Sequence, residues 1–448
     1  EPFQIGTKFL FWDWIRTTTY GFDRILDFVK CSDQYVAEGC LRCNDALKFE
    51  EVYPDISFDM CLEDFRNFYK MHIKTEWYDE YKPPRAINAP LDVVKCFLGP
   101  TIKGLEDYVF HREVDGYCPF IKHIAVRDRG RFLLDVVDQP GQYEHVISTD
   151  HSFFEAHMTP KIMDACECAL FRHMLKFSDP DMARTICSID MGMHRVASDR
   201  LSLNLKGGRM SGDMWTSLGN GFTNLMVMLF GLSKYGCRDI RGVVEGDDGV
   251  FEFNGPVPGP EFFARIGMDL KLEVRPNISE ARFCAITVNP ETRNNIINPM
   301  KMILKMGWSF CRQAAYGDRY RMGLLKAKLM SMYWECPFNP VSSVIAYHLL
   351  AILDRYDALM IFDDKYKSEH VLIDVGSIPK ERPVILESDR IFMERVHGVS
   401  IEHQLELEEY FLSFTDIHPL DHPLIIELMP DRVREHASDF WHSCVEPN

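Results

Sequence analysis

Two apolar runs, residues 240–245 and 249–253, flank Gly246-Asp247-Asp248, and no other stretch constrains the fold as much. Apolar segments bounded by a Gly-Asp turn predict a β-hairpin. A tight turn between buried strands would present two neighbouring carboxylates, a suitable grip for a hard cation. Asp is also an ordinary turn residue, so the pair alone leaves a purely structural role open. A second strand-like run, 143–149, ends at Asp150, and Glu155 follows five positions on. Phosphoryl chemistry on two metal ions about 3.5 to 4 Å apart needs acidic ligands from separate segments of chain, and two strand ends side by side would supply them.

A third element begins Ser211-Gly212-Asp213 and turns apolar with a helical period up to residue 233. It predicts a loop feeding a helix. Thr216 and Asn220 lie four apart and share one face of that helix, among Phe222, Leu225, Met226 and Leu229. A polar pair there could read the hydroxyl groups of a sugar, since a site built to bond a hydroxyl discriminates strongly. Capping of the helix by Ser211 or Thr216 is the structural alternative. Thr159-Pro160 predicts an N-cap and first helical residue, with Ile162, Met163, Ala165, Ala169, Leu170, Met174 and Leu175 at helical spacing behind it. Residues 301–360 are rich in Lys, Leu, Met and Ala and read as helical. The last ninety are acidic, and little can be placed in them.

A chain of 448 residues exceeds the roughly 250 to 300 at which single cores stop growing, so two or three lobes are expected. Its 46% hydrophobic and 12% aromatic content excludes a disordered polar chain. No apolar run nears the roughly 18 residues that span a bilayer, and no basic start leads into an apolar stretch, so a soluble protein without a secretory signal is expected. The start at Glu1 rather than Met suggests a cleaved product or an artificially trimmed chain. The 14 cysteines are scattered, as reduced thiols would be; Cys31, Cys40 and Cys43 include one C-x2-C pair, but no second pair completes a usual zinc spacing. The net charge of −17 runs against phosphate binding, but it is uneven. Acids crowd the region after residue 353, while Lys and Arg gather at 82–131 and 301–328, and local potential matters more than the sum.

The order Asp-x4-Glu, Ser-Gly-x3-Thr-x3-Asn, Gly-Asp-Asp resembles motifs A, B and C of positive-strand RNA virus RNA-dependent RNA polymerases. Within that family the chain looks most like the tombusvirus- and nodavirus-like group. That likeness rests on Lys82-Pro83-Pro84-Arg85-Ala86-Ile87-Asn88 with Leu105-Glu106 downstream, on Asp150-His151-Ser152-Phe153-Phe154-Glu155-Ala156-His157, and on Arg209-Met210-Ser211-Gly212-Asp213. The resemblance spans residues 82–284. It implies an α+β right hand: fingers over 1–142 with the basic motif F near 82–106, palm over 143–175 and 206–300, a fingers insertion at 176–205, and a mainly helical thumb with the acidic C-terminal region over 301–448.

The resemblance also implies roles. Asp150 and Asp247, with Asp248 beside them, would hold two Mg2+ ions, for which Mn2+ can substitute. Glu155 would sit near the ribose 2′-hydroxyl together with Thr216, Asn220 and the Ser211-Gly212 loop; the family more often has Asp where Glu155 stands. Arg85, and less directly Lys82, would meet the triphosphate, where a planar guanidinium suits phosphate oxygens. Lys271 resembles the motif D lysine that protonates pyrophosphate, although a lysine in an alternating strand is ordinarily solvent-facing. Residues 280–284 resemble motif E, a primer grip. RNA template and product and ribonucleoside triphosphates would be its partners, with other viral replication proteins and host membranes engaged through regions outside this chain. Its place would be the host cytoplasm, at membrane-associated replication complexes. Two rival readings are a reverse transcriptase, against which Glu245-Gly246-Asp247-Asp248 lacks the usual Tyr-x-Asp-Asp, and a noncatalytic palm-like RNA-binding scaffold.

Overall fold

A computed structural model describes residues 67–74, 85–307, 314, 316–358, 381–418, 420 and 422–428. Lys82, Cys31, Cys40 and Cys43 lie outside them. The chain divides into two compact units, one holding residues 85–125 and 135–284 with the strand before them, the other holding 126–134 and everything after 284. Both mix helices with sheets that are largely antiparallel, so the protein is α+β.

The first unit opens with β1 (Phe68–Ile73), β2 (Ala86–Pro90) and helix α1 (Asp92–Phe110). Strand β3 (His145–His151) leads into a one-turn helix, α2 (Phe154–His157). The apolar period expected after Pro160 is present but broken, giving α3 (Pro160–Ala165) and α4 (Glu167–Met174). The break is at Cys166, where φ and ψ are −106° and −87°. The period reads through it because both halves bury residues in one core. Thr159 accepts a hydrogen bond from the Ile162 amide and Pro160 is the first helical residue, as the sequence predicts. Helix α5 (Pro180–Asp190) starts the same way, its Asp179 cap accepting from Met182 N at 2.9 Å.

Strands β4 (Met193–Ala197) and β5 (Ser202–Lys206) complete a four-stranded sheet ordered β2-β1-β4-β5. Helix α6 (Thr216–Tyr235) is buried along most of its length and stops at Gly236, which has a left-handed φ of 100°. Next come the hairpin strands β6 (Arg238–Glu245) and β7 (Asp248–Asn254), then α7 (Pro260–Ala264) and β8 (Leu270–Arg275). These form the second sheet, β6-β7-β3-β8, in which every pairing is antiparallel. Val250, Phe251 and Phe253 of its inner strand β7 are fully buried, and α6 packs on β6 and β7.

The second unit has the short pair β9 (Thr287–Val288) and β10 (Asn295–Ile296), then α8 (Pro299–Gly307), α9 (Asp318–Glu335) and α10 (Ser342–Ile352). The helical reading of 301–360 is met by these three helices, with residues 336–341 as a connection between α9 and α10. The acidic region, opaque in sequence, contributes α11 (Glu387–His397) and α12 (Ile401–Leu412). Leu407 and Phe411 of α12 join Ile303, Leu329, Ile345 and Leu349 in one core. Glu408 is held by both guanidinium nitrogens of Arg390, at 2.8 and 2.9 Å, and by Val341 N at 3.0 Å, so even this region spends a buried charge on docking its helix. Among the described residues no helix is long and apolar enough to cross a membrane.

Candidate active site

Register brings the acids together. Strand β3 pairs with β7 from His145 opposite Phe253 to Thr149 opposite Gly249. Asp150 and Asp248 are the residues next beyond that last pair, on neighbouring strands. Glu245 pairs with Asp248 on the other side, so the turn is Gly246-Asp247 alone. Gly246 takes φ +59°, and Asp247 stands at the tip while Asp248 already belongs to β7. The sequence reading put both acids on the tip; the ladder closes one residue earlier because Asp248 keeps its place opposite Glu245.

The charges feel one another. Burial, then the negative charges of Glu155 and Asp150, push the Asp247 carboxyl above its usual range, and the Arg85 guanidinium opposes them. Asp248 is pushed up to about 6, first by burial and then by Asp247 and Asp150, with a hydrogen bond from Cys284 pulling the other way. Here carboxylates outnumber cations. Lys271 faces Asp150 across the β3–β8 ladder, but its side chain is 67% exposed and its Nζ lies 3.0 Å from Glu273. Among the described residues no three His, Cys, Asp or Glu groups stand close enough to hold a metal ion as a finished cage. The donor set is nevertheless the right kind for a divalent cation, hard oxygens in a pocket short of positive charge.

The polar pair expected on α6 divides. Asn220 is buried and its Nδ2 donates to Glu155 Oε1 at 3.3 Å, while its Oδ1 is buried with no hydrogen-bond partner. Thr216 instead turns its hydroxyl back into the loop, with Asp213 O at 2.9 Å and Met210 O at 3.2 Å. A hydroxyl has a single proton, so Thr216 keeps only acceptor capacity for anything else. Neither Ser211 nor Thr216 caps the helix: Trp215 is its N-cap and makes no side-chain cap bond. Ser211 and Gly212 hold β2 instead. Ser211 Oγ accepts from Asn88 N at 3.2 Å and donates to Ala86 O at 3.3 Å, and Gly212 N donates to Asn88 O at 3.0 Å. A Cβ at 212 would come within 2.6 Å of Asn88 O. Arg85 immediately precedes the strand so held.

Behind this loop is a cluster that sequence reasoning missed. Arg209, with a fully buried side chain, forms an ion pair with Glu167 and lies 3.6 Å from Asp190 and 3.8 Å from Asp213. Trp215 Nε1 donates to Asp190 at 2.9 Å, Tyr69 OH to Asp213 Oδ1 at 2.8 Å, and Met210 N to Asp213 Oδ2 at 3.0 Å. Burial pushes Asp190 well above its usual range and Asp213 to about 6, with Arg209 opposing the latter. The available signal was faint: Glu167 falls between Cys166 and Cys168 in a helical run that also carries Lys161, Asp164 and Arg172.

No curated protein sequence matches the chain. Residues 113–254, from just after α1 through Asp150, the Ser211-Gly212 loop and the Asp247-Asp248 hairpin, match the family described as viral RNA dependent RNA polymerase. The chain therefore carries the polymerase segment of a viral RNA-dependent RNA polymerase of the positive-strand RNA virus kind, an RNA-directed nucleotidyltransferase.

Proposed function

We propose that the chain copies viral RNA by two-metal nucleotidyl transfer, in a right-hand fold of fingers, palm and thumb related to the tombusvirus- and nodavirus-like group. The observation that carries this reading is that Asp150 and Asp248 are the residues next beyond the Thr149–Gly249 pair on neighbouring strands, with Asp247 at the adjoining tip and the three charges acting on one another. Asp150 and Asp247 would hold two Mg2+ ions, with Asp248 adjusting the second site, and the bound metal supplies activation of the attacking 3′-oxygen and neutralisation of the leaving pyrophosphate. Arg85 binds the triphosphate from the strand clamped by Ser211 and Gly212, and Lys82 extends the same basic segment. Asn220 and Glu155 receive the ribose. The unpartnered Oδ1 of Asn220 is ready to accept from a sugar hydroxyl, and deoxyribose would leave a buried polar atom unsatisfied. Lys271, exposed beside Asp150, delivers a proton to pyrophosphate. Viral replication proteins and host membranes remain the expected partners of regions outside the chain, at cytoplasmic replication complexes.

Extension of an RNA template with ribonucleotides and magnesium tests this. Asp247→Ala is expected to lose incorporation by more than the roughly 10- to 100-fold that an outer partner of a metal ligand is worth, while RNA binding survives. Activity equal to wild type would leave the noncatalytic scaffold standing. Preference for deoxynucleotides would favour reverse transcription. Asn220→Ala is expected to narrow the ribose-over-deoxyribose preference by about 1 to 3 kcal/mol of discrimination, the cost of an unsatisfied buried group, and unchanged selectivity would remove the sugar-reading role.

A further inference from the structure

Helix α6 carries a second buried amide one turn beyond Asn220. Asn224 has no exposed surface, and its three hydrogen-bonding contacts all reach the two chain segments that bear the site's aspartates. Its Nδ2 donates to Gly246 O and to Asp248 O, each at 3.1 Å. Its Oδ1 lies 3.1 Å from Nε2 of His151, the residue that follows Asp150. His151 is itself buried, and its ring stacks edge-on against Phe154. An amide oxygen can only accept, so the imidazole Nε2 carries the proton in this pair.

We infer that Asn224 is a positioning residue for the carboxylate site, tying the Gly246-Asp247 turn to the end of β3 so that Asp150, Asp247 and Asp248 keep a fixed relation. Its two protons fix the peptide groups that join Gly246 to Asp247 and Asp248 to Gly249, one on each side of the acidic pair. Its oxygen fixes the residue beside Asp150. A group with two donors and one acceptor in a plane is needed, which Ser, Ala and Asp do not provide. Removing it takes a donor from each of two part-buried backbone carbonyls, at the place where the turn must stay rigid. The ladder alone does not do this work, because the β6–β7 and β3–β7 pairings stop at Glu245–Asp248 and at Thr149–Gly249, and the β3–β8 pairing that includes Asp150 does not touch the turn. Asn220 and Asn224, four residues apart, place the sugar-reading group and the turn-holding group on the same face of one buried helix.

The inference rests on the proposed carboxylate site, and the test separates the two. Mn2+ binding by the full chain, without RNA or nucleotide, is followed from the electron paramagnetic resonance of free Mn2+, beside extension kinetics, thermal melting and RNA binding. Asp247→Asn is expected to lose Mn2+ binding; if it binds as wild type does, the carboxylate site itself is misassigned. Asn224→Ala and Asn224→Asp are expected to weaken Mn2+ binding and kcat together by roughly 10- to 100-fold, the range for outer partners of metal ligands, with the nucleotide KM unchanged within error. His151→Ala, which leaves both turn carbonyls bonded, is expected to give a smaller loss, and the double variant no more loss than Asn224→Ala alone. Folded Asn224→Ala protein that binds Mn2+ like wild type, while Asp247→Asn does not, overturns the inference. Should the Asn224 variants fail to fold, His151→Ala decides: weakened Mn2+ binding supports the tie, and wild-type binding overturns it.

Discussion

The protein holds two clusters of acids that differ in one respect. At the hairpin, Asp150, Asp247, Asp248 and Glu155 influence one another around a region where Arg85 is the opposing positive charge. Behind the Ser211-Gly212 loop, Glu167, Asp190 and Asp213 surround a guanidinium that is part of the fold, with Tyr69 and Trp215 as further donors. The second cluster is closed, its four charged side chains buried. The first reaches the surface, where Asp150 is exposed. Acids with an internal cation hold chain segments together; acids left short of one await a cation from solution.

Three variants sharpen or break that contrast. The largest effect is expected for Arg209→Ala, which strips the closed cluster of its cation and should cost about 3 to 5 kcal/mol of stability, as breaking buried ion pairs does. Denaturant unfolding measures this; a loss similar to that of an exposed arginine would show that the acids are neutralised some other way. Asp247→Asn should act in the opposite direction. It removes one of several repelling charges and is expected to raise stability by about 1 kcal/mol while abolishing synthesis, the trade-off common where a site is built for function. Lower stability in this variant would erase the distinction between the clusters.

The smallest effect concerns a third acidic pair, remote from both. Glu252 on β7 is pushed up to about 8 by burial and by Asp138, to which its side chain is hydrogen-bonded. A carboxyl whose folded pKa is raised stabilises the fold fully below its unfolded value near 4.5, and the contribution fades as pH climbs through about 8. Glu252→Gln keeps a donor for Asp138 without the titration. Its stability relative to wild type should therefore rise between pH 5 and 9, read from melting temperatures across that window, and a flat difference would mean that Glu252 titrates normally.

Much of the site was readable because its signals are local. The apolar runs around Gly246-Asp247-Asp248, the run ending at Asp150 and the Thr159-Pro160 start each depend on neighbours within a few residues, and the strands and helix lie where those patterns put them. The hidden parts are those whose meaning lies in distant partners. Arg209, Glu167 and Asp190 are far apart in sequence, and each alone looks like a surface charge. Thr216 and Asn220 share a helical face, yet only Asn220 meets Glu155, because the preceding turn offers Thr216 two carbonyls that a face diagram does not show. In the acidic C-terminal region, helices α11 and α12 were masked by composition: Phe392, Met393, Leu407 and Phe411 are buried, but acids lie between them and Ile391 and Leu405 are exposed, which blurs the apolar stripe.

The contact between β2 and the loop ahead of α6 is lopsided, and that has a consequence for how such a chain can vary. From the strand it uses main-chain atoms only, Ala86 O and Asn88 N and O, which any amino acid but proline at 88 would supply. From the loop it uses a hydroxyl at 211 and the absence of a side chain at 212. Positions 86 and 88 can drift as a viral lineage diverges without loosening the joint, whereas 211 and 212 have almost no room to change. A saturation library scored for replication would show tolerance on one side of this seam and intolerance on the other.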